Sequence, residues 1–274
     1  MTNPSAPAAS AVRFDDTRLI ALGTGGYHPN GVRETSCFFV PRWNLLLDAG
    51  SGIYRLPRYF TGGRLDILLS HAHLDHVHGL TVLPEILHVC QHTHDAPVES
   101  VHLWSAPEYL RTVRECLLDR RLFPAEVDLV EHEVAPEQPL DLPDVTAIAR
   151  EQTHPGGSLA YRVTDAADVT LVYATDTTGD ASPSFGEFAA DADLLIHECN
   201  FREGEEALAE RTGHTAASGL PAIIAACRPR HTMVTHINSL ETGPDPIGVG
   251  DEDPDLTVAR DGYQHVLQDA RRGR

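Results

Sequence analysis

The chain has 274 residues, 21 Lys+Arg against 40 Asp+Glu and a formal net charge of −19, with 42% hydrophobic and 22% charged residues. That length and composition suit a globular fold with a substantial core, in one large domain or two small ones, and exclude disorder over most of the chain. No run of about 18 apolar residues is present, which excludes a membrane-spanning helix, and the acidic balance argues against broad contact with nucleic acid or an anionic membrane.

Pro, Ala and Ser dominate the start, so residues 1–17 read as a flexible tail without the apolar stretch of a secretory signal. Residues 18–274 read as one continuous domain, because Gly and Pro are spread and no linker cuts the chain. Short β-rich runs then follow in order: Arg18–Gly23, Cys37–Val40, Leu45–Asp48, Asp66–Ser70, Val101–Trp104 and Val127–Glu131. The second half adds Val145–Arg150, Ala160–Thr164, Val169–Ala174, Asp193–His197 and His231–Thr235. Many are apolar along their whole length, the pattern of a strand covered on both faces. Helical spacing predicts helices over Leu80–Val89, Ala106–Leu118, Thr215–Cys227 with Thr215 as N-cap, and Leu256–Arg271. Strands in hairpin-like succession, then strands alternating with helices, indicate a layered α/β domain. Five scattered cysteines with no CxxC read as reduced thiols, as in a cytoplasmic protein.

Histidine is over-represented, at 16 residues, and its placement carries the chemistry. Asp66–Ser70 runs into His71-Ala-His73-Leu-Asp75-His76. Composition alone would produce H-x-H-x-D-H about 0.004 times in a chain like this, so the motif is specific. Residues two apart in extended chain point the same way, so His71 and His73 can share one metal, while Asp75 and His76, past the turn, can face a second. Imidazole and carboxylate suit Zn2+, and also Mn2+ or Fe2+. His154, Asp176, His197 and His236 each follow or close an apolar strand-like run. In layered α/β folds that edge is where sites gather.

This pattern resembles the metallo-β-lactamase superfamily, and within it the ribonuclease Z branch. LGTGGYHPNGVRETSCFFV is similar to that branch's glycine-containing first turn, LLLDAGSGI to its second strand and turn, LLIHECNF to its HEAT-type segment, and GHTAASG with VTHIN to its late motifs. The likeness runs from Leu19 to His236. It implies a four-layer αβ/βα sandwich: a hydrolase domain with two divalent metal ions. It further implies that His71, His73 and His154 hold one metal, that Asp75, His76 and His236 hold the other, and that Asp176 bridges them. Glu198 and His214 match an acid–histidine pair that assists the leaving group, His197 reads as structural, and a homodimer is suggested.

The chain departs from ribonuclease Z proper. Only 21 residues separate His154 from Asp176, too few for the arm that clamps transfer-RNA precursors. Polyanion binding needs a basic surface, which a charge of −19 does not offer. The expected activity is therefore hydrolysis of a small or short phosphodiester by metal-activated hydroxide, without membrane or extended nucleic acid as partner. Lactone or thioester hydrolysis on the same site is the first alternative, and transfer-RNA 3′ processing the second. A redox protein fits poorly, since redox members of the family carry Glu where His73 stands, and a relict site fits poorly, since all seven candidate ligands are present. Other motifs fail: His28 occupies the last position of a would-be GxGxxG, no GxSxG occurs, and Phe201 breaks HExxH. His88, His92 and His94 read as a solvated helix edge.

Overall fold

The computed structural model describes residues 11–250 and 254–267. Of the expected tail, residues 1–10 lie outside the described residues. Val12 N–H donates to the Arg58 carbonyl at 2.9 Å and Phe14 stacks on Tyr59.

Among the described residues, the strands form two seven-stranded sheets. The first takes β1 (Arg18–Gly23), β2 (Cys37–Val40), β3 (Leu45–Leu47), β4 (Gly63–Leu68), β5 (Val98–Ser105) and β6 (Val130–Glu133). The second takes β7 (Pro139–Asp141), β8 (Val145–Gln152), β9 (Ser158–Asp165), β10 (Thr170–Ala174), β11 (Leu194–Glu198), β12 (Thr232–Thr235) and β13 (Leu256–Val258). A last strand, β14 (Gln264–Val266), returns to pair with β1. Both sheets begin antiparallel and turn parallel, from β3 to β6 and from β10 to β13.

The strand runs are apolar throughout because each sheet is covered twice. Leu19 and Ala21 of β1 face the opposite sheet, while Ile20 and Leu22 face outer helices. Leu171 and Tyr173 of β10 face inward, and Val172 and Ala174 face outward. The first sheet is overlaid by α1 (Leu74–Val77), α2 (Leu83–Thr93) and α3 (Pro107–Thr112), the last running on into a π-helical turn over Val113–Leu117. Against the second pack α4 (Pro183–Phe188) and α6 (Leu220–Cys227); α5 (Glu206–Thr212) lies beside the late loops. This is the αβ/βα sandwich expected from the sequence.

Two expectations are corrected. The segment predicted as a C-terminal helix forms β13 and β14 instead, with Gly262 at φ +83° between them; its residues 268–271 lie outside the described residues. The free edges of β12 and β1 offer unpaired backbone to the β-branched Thr257, Val258 and Val266, and pairing outweighs a weak helical pattern. Thr215 caps no helix. Its hydroxyl donates to the Thr177 carbonyl at 2.9 Å, and α6 starts later, at Leu220 with Pro221 in its first turn.

β14 carries a half-buried histidine. Burial, with His231 stacked at 4.5 Å, pushes His265 down to about 4. A base whose folded value is depressed stabilises fully above its unfolded value near 6.5 and loses that stability as pH falls toward the folded one. Solvent screening of a ring this exposed cuts the effect well below the full shift, so His265→Phe is expected to remove on the order of 1 kcal/mol of acid sensitivity. The drop in Tm between pH 7.5 and 4.5 should be smaller in the variant, and an equal drop would contradict this.

Candidate metal centre

The parallel strands all end at one edge, and register aligns their ends. Ala174 pairs with His197, and Glu198 with Thr235, so Asp176, Glu198 and His236 emerge together. β4 delivers His71 to the same edge from the other sheet, with α1 carrying Asp75 and His76. Beyond β8, His154 opens a turn closed by Gly157 N–H on the His154 carbonyl at 2.8 Å.

Asp176 is the centre of the cluster, and its two oxygens divide the histidines. Oδ1 lies 3.2 Å from Nε2 of His76 and 3.2 Å from Nε2 of His236. Oδ2 lies 3.6 Å from Nε2 of His71 and 3.5 Å from Nε2 of His154. Nδ1 of His73 sits 3.2 Å from Nε2 of His154, on the Oδ2 side. Oδ2 of Asp75 sits 3.2 Å from Nε2 of His236, on the other. The ligand atoms of His71, His73, His154 and Asp176 thus form one group within 4.8 Å, and those of Asp75, His76 and His236 a second. The structure thus brings together the residues of each set that the resemblance implies. Asp176, His214 and His236 form a further group of this size, so His214 also faces the centre.

A buried scaffold orients the rings. Asp48, fully buried at the end of β3, accepts from Ser70 N–H (2.7 Å), Ser70 Oγ (2.8 Å), His76 Nδ1 (2.7 Å) and Tyr173 OH (2.6 Å). A proton on Nδ1 leaves the His76 Nε2 lone pair aimed at the cluster. Nδ1 of His71 lies 2.9 Å from the Ser70 hydroxyl, and Nδ1 of His154 donates to the Gly213 carbonyl at 2.8 Å. Tyr27 N–H donates to Asp75 Oδ2 at 2.7 Å. Nδ1 of His214 donates to Glu198 Oε1 at 2.9 Å, which also accepts from Thr177 N–H at 3.0 Å. His197 points away, with Nδ1 on the Glu198 carbonyl at 2.7 Å and its ring against Phe185. The buried Cys199 thiol turns to the Phe201 carbonyl. On α2, His88 and His92 stack on each other at the surface, outside the metal groups.

The residues fit divalent cations on two grounds. His71 Nε2 is buried with no hydrogen-bond partner, an orphan that a cation would satisfy. The carboxylates also call for positive charge. Burial pushes His71, His73 and His154 down, as neutral ligands require. Burial would also lower His76, but Asp176, Asp75 and Asp48 outweigh it and hold it well above its ordinary value. Burial opposes ionisation of Asp75 and Asp176, yet the imidazoles around them hold both well below the carboxylate range. Burial likewise opposes protonation of His214, and Glu198 overrides it, lifting the ring to about 9.

Asp48, Ser70, Tyr27 and Gly26 were not assigned from the sequence. Asp48 left one signal, an acid closing the apolar run Leu45–Leu47. Gly26 left only its place in the glycine-containing first turn, yet it decides where His236 can stand, since a Cβ there would collide with the ring's Cε1. Gly26→Ala should weaken by ~10–100-fold the affinity for the cation that Asp75, His76 and His236 would hold. Metal content after dialysis would fall by one equivalent; an unchanged content would contradict the placement.

In front of the cluster lies a cavity of about 960 Å3, bordered by Tyr27, Leu74, Pro155, Phe201, Asn238 and Leu240 among others. No arginine lines it, and the chain contains no lysine.

The family model described as "Beta-lactamase superfamily domain" matches residues 43–237. A Ribonuclease Z of Gemmatimonas aurantiaca is 28% identical over 270 residues, covering 80% of this chain and 84% of that one. The probable metallo-hydrolase YhfI of Bacillus subtilis is 27% identical over 241 residues, covering 82% and 80%. In three dimensions the chain is similar to the short form of human tRNase Z, with a TM-score of 0.70 at 18% identity over 92% of this chain and 99% of that one.

Proposed function

Because the chain belongs to the beta-lactamase superfamily, with relatives named as hydrolases, we propose that it is a dinuclear metal-dependent phosphodiesterase acting on a small or short phosphodiester. The observation that carries this reading is the division of histidines by the two oxygens of Asp176, with the His214–Glu198 pair at the same centre. In it, His71, His73 and His154 would hold one divalent ion and Asp75, His76 and His236 the other, with the Asp176 carboxylate available to both. Such ions, when bound, supply Lewis acidity and lower the pKa of water from about 15.7 to about 7.

The chain's own groups do the rest. Asp75 is held by Tyr27 N–H, which fixes its carboxylate toward His236. His214 carries the proton that the leaving oxygen needs, presenting Nε2 while Nδ1 stays on Glu198. Glu198, itself held by Thr177 N–H, stabilises the ring in its charged form. A proton donor matters for an alkoxide leaving group and little for a thiolate, which favours an oxygen ester over a thioester, while the choice of phosphodiester over lactone rests on the likeness to ribonuclease Z.

Transfer-RNA processing has less support: the 21 residues from His154 to Asp176 form a turn and the strands β9 and β10, leaving no arm. Zn2+ is the favoured metal on its ligand chemistry. A homodimer is a proposal resting on the resemblance and a cytoplasmic location one resting on the reduced thiols; among the described residues, no helix is long and apolar enough to cross a membrane.

Hydrolysis of bis(p-nitrophenyl) phosphate by protein loaded with Zn2+ or Mn2+ tests the reading. Turnover should depend on metal and fall by ~100-fold or more in Asp75→Asn, in line with the loss of a group acting on the transition state. Faster hydrolysis of lactones or thioesters, with none of the phosphodiester, would overturn it. For His214→Ala, alkyl leaving groups should suffer ~10–100-fold more than nitrophenolate. Equal losses would remove the proton-donor role.

A further inference from the structure

Three large apolar side chains stand exposed around the same cavity. Tyr27, Leu74 and Leu240 are 80%, 70% and 82% exposed, come from three separate segments, and all border the space in front of the metal ligands. Leu74, between His73 and Asp75, also borders a second cleft of about 160 Å3. That cleft is walled by Val77, Val113, Cys116, Leu117 and Leu122, and no charged side chain lines it. Three of these lie on the π-helical turn Val113–Leu117, a wide turn of the kind found at functional sites. Leu122 also lines it, 71% exposed.

Single exposed leucines are ordinary, but a continuous apolar strip marks a binding surface. This strip begins at the catalytic motif itself, since one side chain, Leu74, belongs to both spaces. Its occupant must therefore reach the metal centre as well as the cleft. A stable dimer buries about 800 Å2 per partner, whereas a cleft of about 160 Å3 suits a short chain or a single ring. The absence of arginine and lysine around the cavity points the same way, because beyond the metals only the His214 ring offers a multiply charged substrate a counter-charge.

We propose that the substrate is an ester whose non-reacting half carries an uncharged apolar chain or ring, and that this group passes over Leu74 into the cleft lined by Leu122. The assignment rests on the hydrolase reading of the adjoining centre. Leu74, Leu122 and the Val113–Leu117 turn set specificity, and the metal ligands set the reaction.

The test compares p-nitrophenyl methyl phosphate with p-nitrophenyl hexyl phosphate on the Zn2+-loaded full chain. Each methylene moved out of water is worth about fourfold, so kcat/KM should favour the hexyl ester by ~10-fold or more. In Leu122→Glu the hexyl-to-methyl ratio should fall close to one; as a ratio, it cancels any change in general activity. No preference in the unaltered protein, or a preference untouched by Leu122→Glu, overturns the proposal. A binding readout separates this outcome from failure of the phosphodiesterase reading. Cys116, the exposed one of the five cysteines, lines the cleft. Hexyl phosphate should slow its alkylation by iodoacetamide several-fold, and methyl phosphate should not. Equal rates overturn the proposal even if no phosphodiester is turned over. Conversion of a dimer to a monomer by Leu122→Glu, with the ratio unchanged, would assign the cleft to a second copy and overturn it too.

Discussion

The structure turns on one buried carboxylate. Asp176 is 2% exposed and meets four imidazoles, two on each oxygen. A carboxylate in such surroundings is expensive to bury unless positive charge faces it. Protonated rings can supply that charge only by giving up the lone pairs that make them ligands. Cations between the rings would resolve the conflict, because they would satisfy the carboxylates and the neutral imidazoles at once.

The backbone bends to make this possible. Asp48, Asp176 and His236 adopt positive φ, at 56°, 47° and 54°. Non-glycine residues reach that region at a cost of about 1–3 kcal/mol each. Glycine would relax the strain but could not accept or ligate. Asp48 and His236 stand immediately after strands and Asp176 one residue further on, where the chain must turn while its side chain still points to the site. The sandwich over-determines the strand ends through cover on both faces, and Asp48 repays part of the cost with four hydrogen bonds. From this rigid edge the exposed residues Tyr27, Leu74 and Leu240 project around the opening. Chemistry and selectivity thus belong to different layers of one rim.

Much of this was legible in the chain itself. HAHLDH could be read because four of its groups lie within six residues, where local geometry alone brings ligands together. The strands were legible because burial on both faces leaves continuous apolar runs, as in Thr170–Ala174. The orienting groups were harder. Asp48 meets His76 across 28 positions and Tyr173 across 125, contacts that exist only after the sheets pack. Gly26 matters only because the His236 ring comes to rest on it. The C-terminal strands were misread as helix because the deciding partners, the open edges of β12 and β1, lie far away in sequence. Local propensity was weak there and tertiary pairing won.

The most direct test of the central claim is anomalous diffraction from crystals grown with Zn2+, with data on both sides of the zinc absorption edge. Two peaks about 3.5–4 Å apart are expected, one among His71, His73 and His154, the other among Asp75, His76 and His236, with one Asp176 oxygen toward each. A single peak, or zinc held elsewhere with these imidazoles still packed on Asp176, would contradict it.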